Sequence, residues 1–395
     1  MIDTTSCSLE GICGGCLYQG VPYKDQLETK NKEILSFLAA SDLMPSEYRP
    51  LKACGKITAY RNKMEYSFGD EIKGGPMTLG LHKKGSYMSV VNTEGCLIVP
   101  DSFNKIRDAV LDWARESGHD FHHKRSHKGF LRNLVLRHGE HTGELLVNLV
   151  TTSEEELDET VFTDVVLSSI NTENSDNDHS SANQHIVGIL HTTNDRRSDV
   201  VACDSVKTLY GRDHYFEELM GLSFRVGAFS FFQTNTTAVE AMMEEALLMI
   251  PDKYGTIYDV YCGTGAISLT LSNNAEKIVG IELSEDSVVA ARENAIRNDV
   301  TNVDFINGDA FEIMKDLSPP DMIVVDPPRM GLHPKALKRV IEFDLPRILY
   351  ISCNPKTFAE NAAVLKSAGY GISILGAYDN FPFTKHVELA ALLER

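Results

Sequence analysis

The sequence predicts an α/β protein whose C-terminal part is a doubly wound parallel sheet, preceded by a smaller α+β region and an N-terminal cysteine motif. Three observations carry that prediction. From about residue 235 short apolar runs alternate with helical patterns, the rhythm of a parallel sheet covered on both faces. Between about Tyr60 and Val99 the texture is different, with alternating stretches broken by glycines, such as KMEYSFG and TLGLHKKG, that read as antiparallel strands and turns. At 395 residues, finally, the chain is too long for one comfortable core.

Taken in order, the first forty residues hold Cys7, Cys13 and Cys16 and then PYKDQLETKNKEILSFL, an amphipathic helix with Leu27, Ile34, Leu35 and Leu38 on one face. Residues 103–118 read as a helix, and NLVLRHG followed by GELLVNLVTT as a hairpin. The polar tract NTENSDNDHSSANQ, residues 171–184, lacks apolar area to bury and is expected to be a mobile loop. In the last part TIYDVYC, KIVGIEL, VDFINGD, DMIVVDPP and RILYISC are the strands, with helices expected from Ala266, from Ser284 and over Ala310 to Leu317. The resulting division is 1–100 for the cysteine region packed on the central strands, 101–228 for the central α+β region, and 229–395 for the doubly wound domain.

With 43% hydrophobic and 24% charged residues, the composition is that of an ordinary globular protein, and no run approaches the roughly 18 to 20 apolar residues of a membrane span. The N-terminus, MIDTTSCSLE, does not resemble a signal peptide, so a cytoplasmic location is expected. There, eight cysteines point to metal ligation or catalysis before disulfides. A formal charge of −18 argues against indiscriminate coating of nucleic acid. Residues 122–138, HHKRSHKGFLRNLVLRH, are an exception, holding Lys124, Arg125, Lys128, Arg132 and Arg137 with no acid among them.

In doubly wound sheets ligands sit at the carboxyl ends of the strands, and that is where the chemistry-bearing residues collect. After the first strand, Gly263 and Gly265 let the backbone turn tightly and approach a ligand at a helix N-terminus. The second ends at Glu282, placed to accept hydrogen bonds from ribose hydroxyls, and the third at Asp309, within reach of an adenine amine. Each acid alone could be a helix cap; three strand ends in register favour a nucleoside site. The fourth strand ends in Asp326-Pro327-Pro328-Arg329, where two prolines fix the backbone but do not account for the acid. Methyltransferases acting on exocyclic nitrogens carry a related turn with an aromatic residue in the fourth position, where Arg329 stands here. The fifth strand delivers Cys353 to the same rim, and Asn354-Pro355 stops the backbone there. Glu388 lies inside an apolar strand, an expensive place for an acid without a partner or a task. A nucleophile and a base are thus expected to face one pocket.

Cys7, Cys13 and Cys16 form C-x5-C-x2-C, and Cys96 in TEGC offers a fourth thiolate. Spacing alone suits zinc and an iron-sulfur cluster equally.

The segments CSLEGICGGCLYQ, YRNKMEYSFG, TEGC, FSFFQTN, DVYCGTGAISL, GIELS, VDPPRMGL, YISCNP and HVELA occur together in this order. In them the chain resembles the bacterial RNA uracil-5-methyltransferases over nearly its whole length, most closely the branch acting on 23S ribosomal RNA. The resemblance implies a Rossmann-like class I methyltransferase domain and S-adenosylmethionine as methyl donor. It also implies cofactor or target-base contacts at Gln233, Tyr261, Glu282, Asp309 and Asp326, with Cys353 as nucleophile and Glu388 as general base. Phe231 and Arg329 would face the substrate, Phe231 by stacking on an extruded base or taking its place, the alternative for Phe231 being a plain core residue. The same resemblance tips the metal choice to a structural [4Fe-4S] cluster on Cys7, Cys13, Cys16 and Cys96. The implied partner is 23S ribosomal RNA and the implied state a monomer without a membrane. Many members carry a small RNA-binding β-barrel ahead of the cysteine motif; here that motif starts at residue 7, so either the chain belongs to a short branch or residues 122–138 are expected to do more of the gripping. Transfer RNA enzymes would share the catalytic residues but commonly lack the cysteines, and cytosine-5 enzymes normally add a second cysteine where Asp326-Pro327-Pro328 stands. A non-catalytic RNA-binding iron-sulfur protein would not be expected to hold Cys353 and Glu388 together.

Overall fold

The computed structural model describes residues 7–170, 184–197, 203–250 and 252–395; the polar tract at 171–183 lies outside them. Helix α1 (Tyr23–Ala40) leads into strand β1 (Glu47–Lys52). Strands β2 (Lys63–Asp70), β3 (Met77–His82) and β4 (Val90–Asn92) follow, then α2 (Asp101–Glu116) and the hairpin of β5 (Leu131–His138) and β6 (Glu144–Thr151). Next come α3 (Glu159–Ile170), β7 (His185–Thr193), β8 (Ser205–Gly211), a second hairpin of β9 (His214–Leu219) and β10 (Leu222–Gly227), and α4 (Thr236–Leu248). The chain then alternates: β11 (Tyr254–Val260), α5 (Ala266–Thr270), β12 (Ala275–Glu282), α6 (Glu285–Arg297), β13 (Val303–Asn307), α7 (Ala310–Asp316), β14 (Met322–Val325), α8 (Pro334–Glu342), β15 (Arg347–Ser352) and α9 (Pro355–Ser367). It closes with β16 (Gly371–Tyr378) and β17 (Glu388–Glu394).

Local chemistry starts these helices where they start. Ser284, Asp309 and Asn354 cap α6, α7 and α9 by accepting first-turn amides, and Pro334 and Pro355 occupy first-turn positions whose amides would have no helical partner. Among the described residues the strands form an eight-stranded sheet in the order β1-β16-β17-β15-β14-β11-β12-β13, a seven-stranded sheet β4-β3-β2-β5-β6-β7-β8, and the separate β9-β10 hairpin. The large sheet is parallel except for β17, which runs antiparallel to both β15 and β16. Its order reverses between β11 and β14, the switch point at which a cleft opens beyond the strand ends.

One core packs α4, α5 and α6 against one sheet face, and a second packs α1, α8 and α9 against the other, which is the doubly wound arrangement the sequence predicts. A third fills the space between the seven-stranded sheet, α2 and α3.

Three expectations change. The buried face of α1 is Gln26, Lys30, Ile34 and Leu38, whereas Leu35 is exposed, so the helix turns a lysine inward. Strand β1 pairs with β16 and extends the C-terminal sheet, although a cut at residue 229 assigns it to the cysteine region. The basic tract is not one exposed face: Arg132 and Arg137 are buried, and Lys128 pairs with Glu154 at 3.2 Å. Acids and carbonyls from distant segments, invisible in a local window, take up those charges.

Candidate active site

The tip of β11 is held in an unusual backbone path. Tyr261 has φ of 72°, and the amides of Tyr261 and Cys262 both donate to the Ile281 carbonyl, at 2.9 and 3.2 Å. Gly265, at φ 85°, opens α5; a Cβ there would lie 2.9 Å from Cζ of Phe305, so the close approach of helix to strand requires glycine. Behind this turn Asp259 is fully buried, its Oδ2 accepting from the Ser268 hydroxyl at 2.5 Å, and burial pushes its carboxyl up to about 7.

At the next strand end Glu282 accepts from the amides of Gly263 (3.1 Å) and Ser284 (2.8 Å), which aims its carboxylate across the Gly263 turn and leaves lone pairs for a ligand. Asp309 caps α7 through Oδ1, with the amides of Phe311 and Glu312 at 3.0 and 3.1 Å. The Tyr261 hydroxyl is pushed up by burial and then by the charges of Asp309 and Glu282, so the three side chains converge on one rim. Phe231 is 65% exposed beside Gly263 and is no core residue.

The loop 229–235 that carries Phe231 and Gln233 is fastened from the central sheet. Arg137 donates to the Ser230 carbonyl at 2.6 Å, and Asn62 donates through its side chain to the Gln233 carbonyl (3.0 Å) and through its amide to the Thr234 carbonyl (3.0 Å). The Thr236 hydroxyl donates to buried Glu217 at 2.6 Å. Glu217 in turn accepts from the amides of Glu140, His141 and Glu218, so this buried carboxylate is well satisfied and anchors the end of the loop.

On the other flank, β15 and β17 pair antiparallel up to Ser352 opposite Leu389, so the bend at Cys353 that follows β15 and Glu388 at the start of β17 leave the ladder side by side, and the charge of Glu388 acts on the thiol. The Asn354 side chain caps α9 and donates to the Arg329 carbonyl at 2.9 Å, so the Pro-Pro turn and the Cys-Asn-Pro turn are fastened together. Glu388 is buried, and its carboxyl is pushed well above the usual range by burial and by Asp326, with Arg329 opposing. Burial likewise pushes Asp326 up to about 7. The Cys353 thiol is pushed up to about 11 by burial and then by Glu388 and Asp326, again with Arg329 opposing. The four side chains form one electrostatic unit.

The profile of the tRNA (Uracil-5-)-methyltransferase family matches residues 220–320 and 314–395. Across 98% of the chain, 43% of residues are identical to an uncharacterized RNA methyltransferase of Clostridium tetani, covering 83% of that protein. A Protochlamydia amoebophila RNA methyltransferase is 34% identical, with 98% and 90% of the two chains covered. The chain belongs to the S-adenosylmethionine-dependent RNA uracil-5-methyltransferase family. Among solved structures, the tRNA (uracil-54, C5)-methyltransferase of Pyrococcus abyssi, in complex with S-adenosyl-L-homocysteine, superposes with a TM-score of 0.77 at 27% identity, over 96% of this chain and 84% of that one.

In this methyltransferase Cys7, Cys13, Cys16 and Cys96 line one cavity, with Leu81 and Ile98 among its walls. Burial and mutual repulsion push the Cys16 thiol up to about 12, and burial pushes the Cys96 thiol up to about 11. Among the described residues no three His, Cys, Asp or Glu side chains are grouped to hold a single metal ion, so the expected metal site stands on the shared cavity alone. No helix among the described residues is long and apolar enough to cross a membrane.

Sequence reading missed the enzyme's supporting residues. Asn62 sits within the quoted YRNKMEYSFG segment but carries no local sign of its partner, while Arg137 looks like part of a basic surface. Lys30 did leave a signal: it recurs with Gln26, Ile34 and Leu38 at the four-residue spacing of a buried helix face.

Proposed function

We propose that the chain methylates C5 of a uracil in 23S ribosomal RNA through a covalent adduct on Cys353. The observation that carries this reading is a thiol and a buried carboxyl at the ends of two paired strands, electrostatically coupled to each other and to Asp326 and Arg329. Gln233, Tyr261, Glu282, Asp309 and Asp326 suit the binding of cofactor and target base, Glu282 presenting a carboxylate with free lone pairs above a glycine turn. When bound, S-adenosylmethionine supplies an electrophilic methyl group.

C5 of uracil is a poor nucleophile. The Cys353 thiolate adds to C6, the ring electrons move toward the C4 carbonyl as an enolate, and C5 becomes able to take the methyl group. Glu388 as carboxylate then removes the C5 proton; the C5–C6 double bond re-forms and the sulfur leaves as thiolate. Burial and the nearby Asp326 raise the basicity that this step needs, with Arg329 opposing. Phe231, exposed at the cleft, is placed to stack on the extruded base or to fill its vacancy.

RNA carrying 5-fluorouridine tests the adduct, because fluorine cannot leave as a cation. The wild type should accumulate a stable protein–RNA species and Cys353→Ala none; an adduct persisting in Cys353→Ala removes the assignment. Glu388→Gln should trap adduct on ordinary RNA.

The choice of ribosomal RNA is supported by Cys7, Cys13, Cys16 and Cys96, which suit a [4Fe-4S] cluster: one cavity takes all four thiols, and nothing in the methyl transfer requires an electron, so the cluster's part is structural. Anaerobic preparation should give brown protein with iron and acid-labile sulfide; colourless, zinc-loaded protein contradicts it. A transfer RNA substrate is the second reading, favoured by the Pyrococcus abyssi enzyme's likeness. Mass-spectrometric mapping of 5-methyluridine in both RNAs from a deletion strain separates the two.

A further inference from the structure

Helix α1 buries Lys30 to 1% exposure and sends its ammonium to three acceptors: Asp379 Oδ1 at 2.6 Å, the Phe381 carbonyl at 3.2 Å and the His386 carbonyl at 3.2 Å. An ammonium has three donors, and all are used. The acceptors stand at the two ends of the segment 379–387, which joins β16 to Glu388 at the start of β17. The segment's middle is held by other groups: the Phe383 amide donates to Gln26 Oε1 (3.0 Å), and the Tyr60 hydroxyl donates to the Pro382 carbonyl (2.9 Å). A buried ion pair is a poor source of stability, since well-packed apolar residues of similar volume serve as well or better. What the apolar alternative does not provide is one point that ties both ends of a loop together.

We propose that Lys30 is a positioning residue for the general base: through Asp379, Phe381 and His386 it sets the loop that aims Glu388 at the C5 proton of the Cys353 adduct. The inference rests on the roles of Cys353 and Glu388 given above. Cys353 owes its own placement to other contacts, those of Asn354 and α9 with the Arg329 carbonyl; Arg329 reaches the clamped loop through the His386 ring at 3.4 Å, whereas Lys30 holds only the backbone carbonyl of His386. Lys30 therefore bears on release of the adduct and not on its formation.

Two variants test this in the full chain: Lys30→Met, and the double variant Lys30→Met/Asp379→Leu, which removes the burden of an unpaired buried acid but still lacks the clamp on the two carbonyls. Adduct formation on 5-fluorouridine RNA should stay within about twofold of wild type while turnover on ordinary RNA falls on the order of 100-fold, with adduct accumulating there. If Lys30→Met alone does not fold, the double variant gives the answer. A folded variant that turns over at the wild-type rate overturns the proposal, and so does an equal loss in formation and release, the mark of a merely structural residue. A wild-type chain that forms no adduct on 5-fluorouridine RNA instead overturns the proposed function, and this inference with it.

Discussion

Cys353, the proposed nucleophile, is kept quiet by its surroundings. With its thiol pushed up to about 11 by burial and by the acids around it, the free protein holds little thiolate at neutral pH. Alkylation by iodoacetamide should therefore climb about tenfold per pH unit from about pH 7 to 10, levelling only near the thiol's own value. The neighbours give the signs. Glu388→Gln removes a negative charge and should move the curve to lower pH, whereas Arg329→Ala removes the opposing cation and should move it higher. A curve that levels near the ordinary thiol range, insensitive to both changes, would contradict the coupling. At this scale the sequence was informative where a residue violated its surroundings: Glu388 is an acid in an apolar strand, Cys353 a thiol at a proline-broken strand end. It was silent where the violation is resolved far away. Lys30 meets Asp379 across 349 positions, and Arg137 meets Ser230 across 93, distances no local window spans.

Elements were legible to the degree that their signal is local. The strands β11 to β15 and their helices follow from apolar runs and capping residues, and they appear close to where the sequence puts them. The run at β17 reads as a strand, but nothing in it states that it inserts antiparallel between β15 and β16; that insertion is what brings Glu388 to the end of β15 where Cys353 follows. Strand β1 likewise finds β16 only in the folded chain. The turn from β11 into α5 allows a sharp prediction. At Gly265 an alanine would be held in a left-handed conformation, costing about 1–2 kcal/mol, before its methyl meets Phe305 and Ala291. Gly265→Ala should lower the thermal midpoint and weaken S-adenosylhomocysteine binding on the order of tenfold by calorimetry, since the amides of this turn must shift. Unchanged affinity in a folded variant would detach the turn from the cofactor.

At the scale of the whole molecule the question is how a chain of net charge −18 holds RNA. The tract at 122–138 offers less than its composition promises, since Arg132 donates to the carbonyls of Asn194 and Arg196, Arg137 to that of Ser230, and Lys128 pairs with Glu154. Positive charge gathers instead at the mouth of the cleft. Burial, and then the charges of Arg329, Lys385, buried Lys30 and Arg61, push the imidazole of His386, two residues before Glu388, down to about 4, leaving it neutral in use. Arg329 and Lys385 are exposed there. A grip confined to this ring involves few phosphates, and for single-stranded RNA each phosphate neutralised contributes a slope of about −0.7 in log affinity against log salt. Fluorescence-anisotropy titrations should therefore give a slope near −2 for three cations, reduced in size by about 0.7 in Lys385→Ala. The double variant Lys124→Ala/Arg125→Ala should leave the slope nearly unchanged. If the slope instead follows Lys124 and Arg125 and ignores Lys385, the RNA lies along the central sheet, and the acidic chain holds its substrate away from the cleft that modifies it.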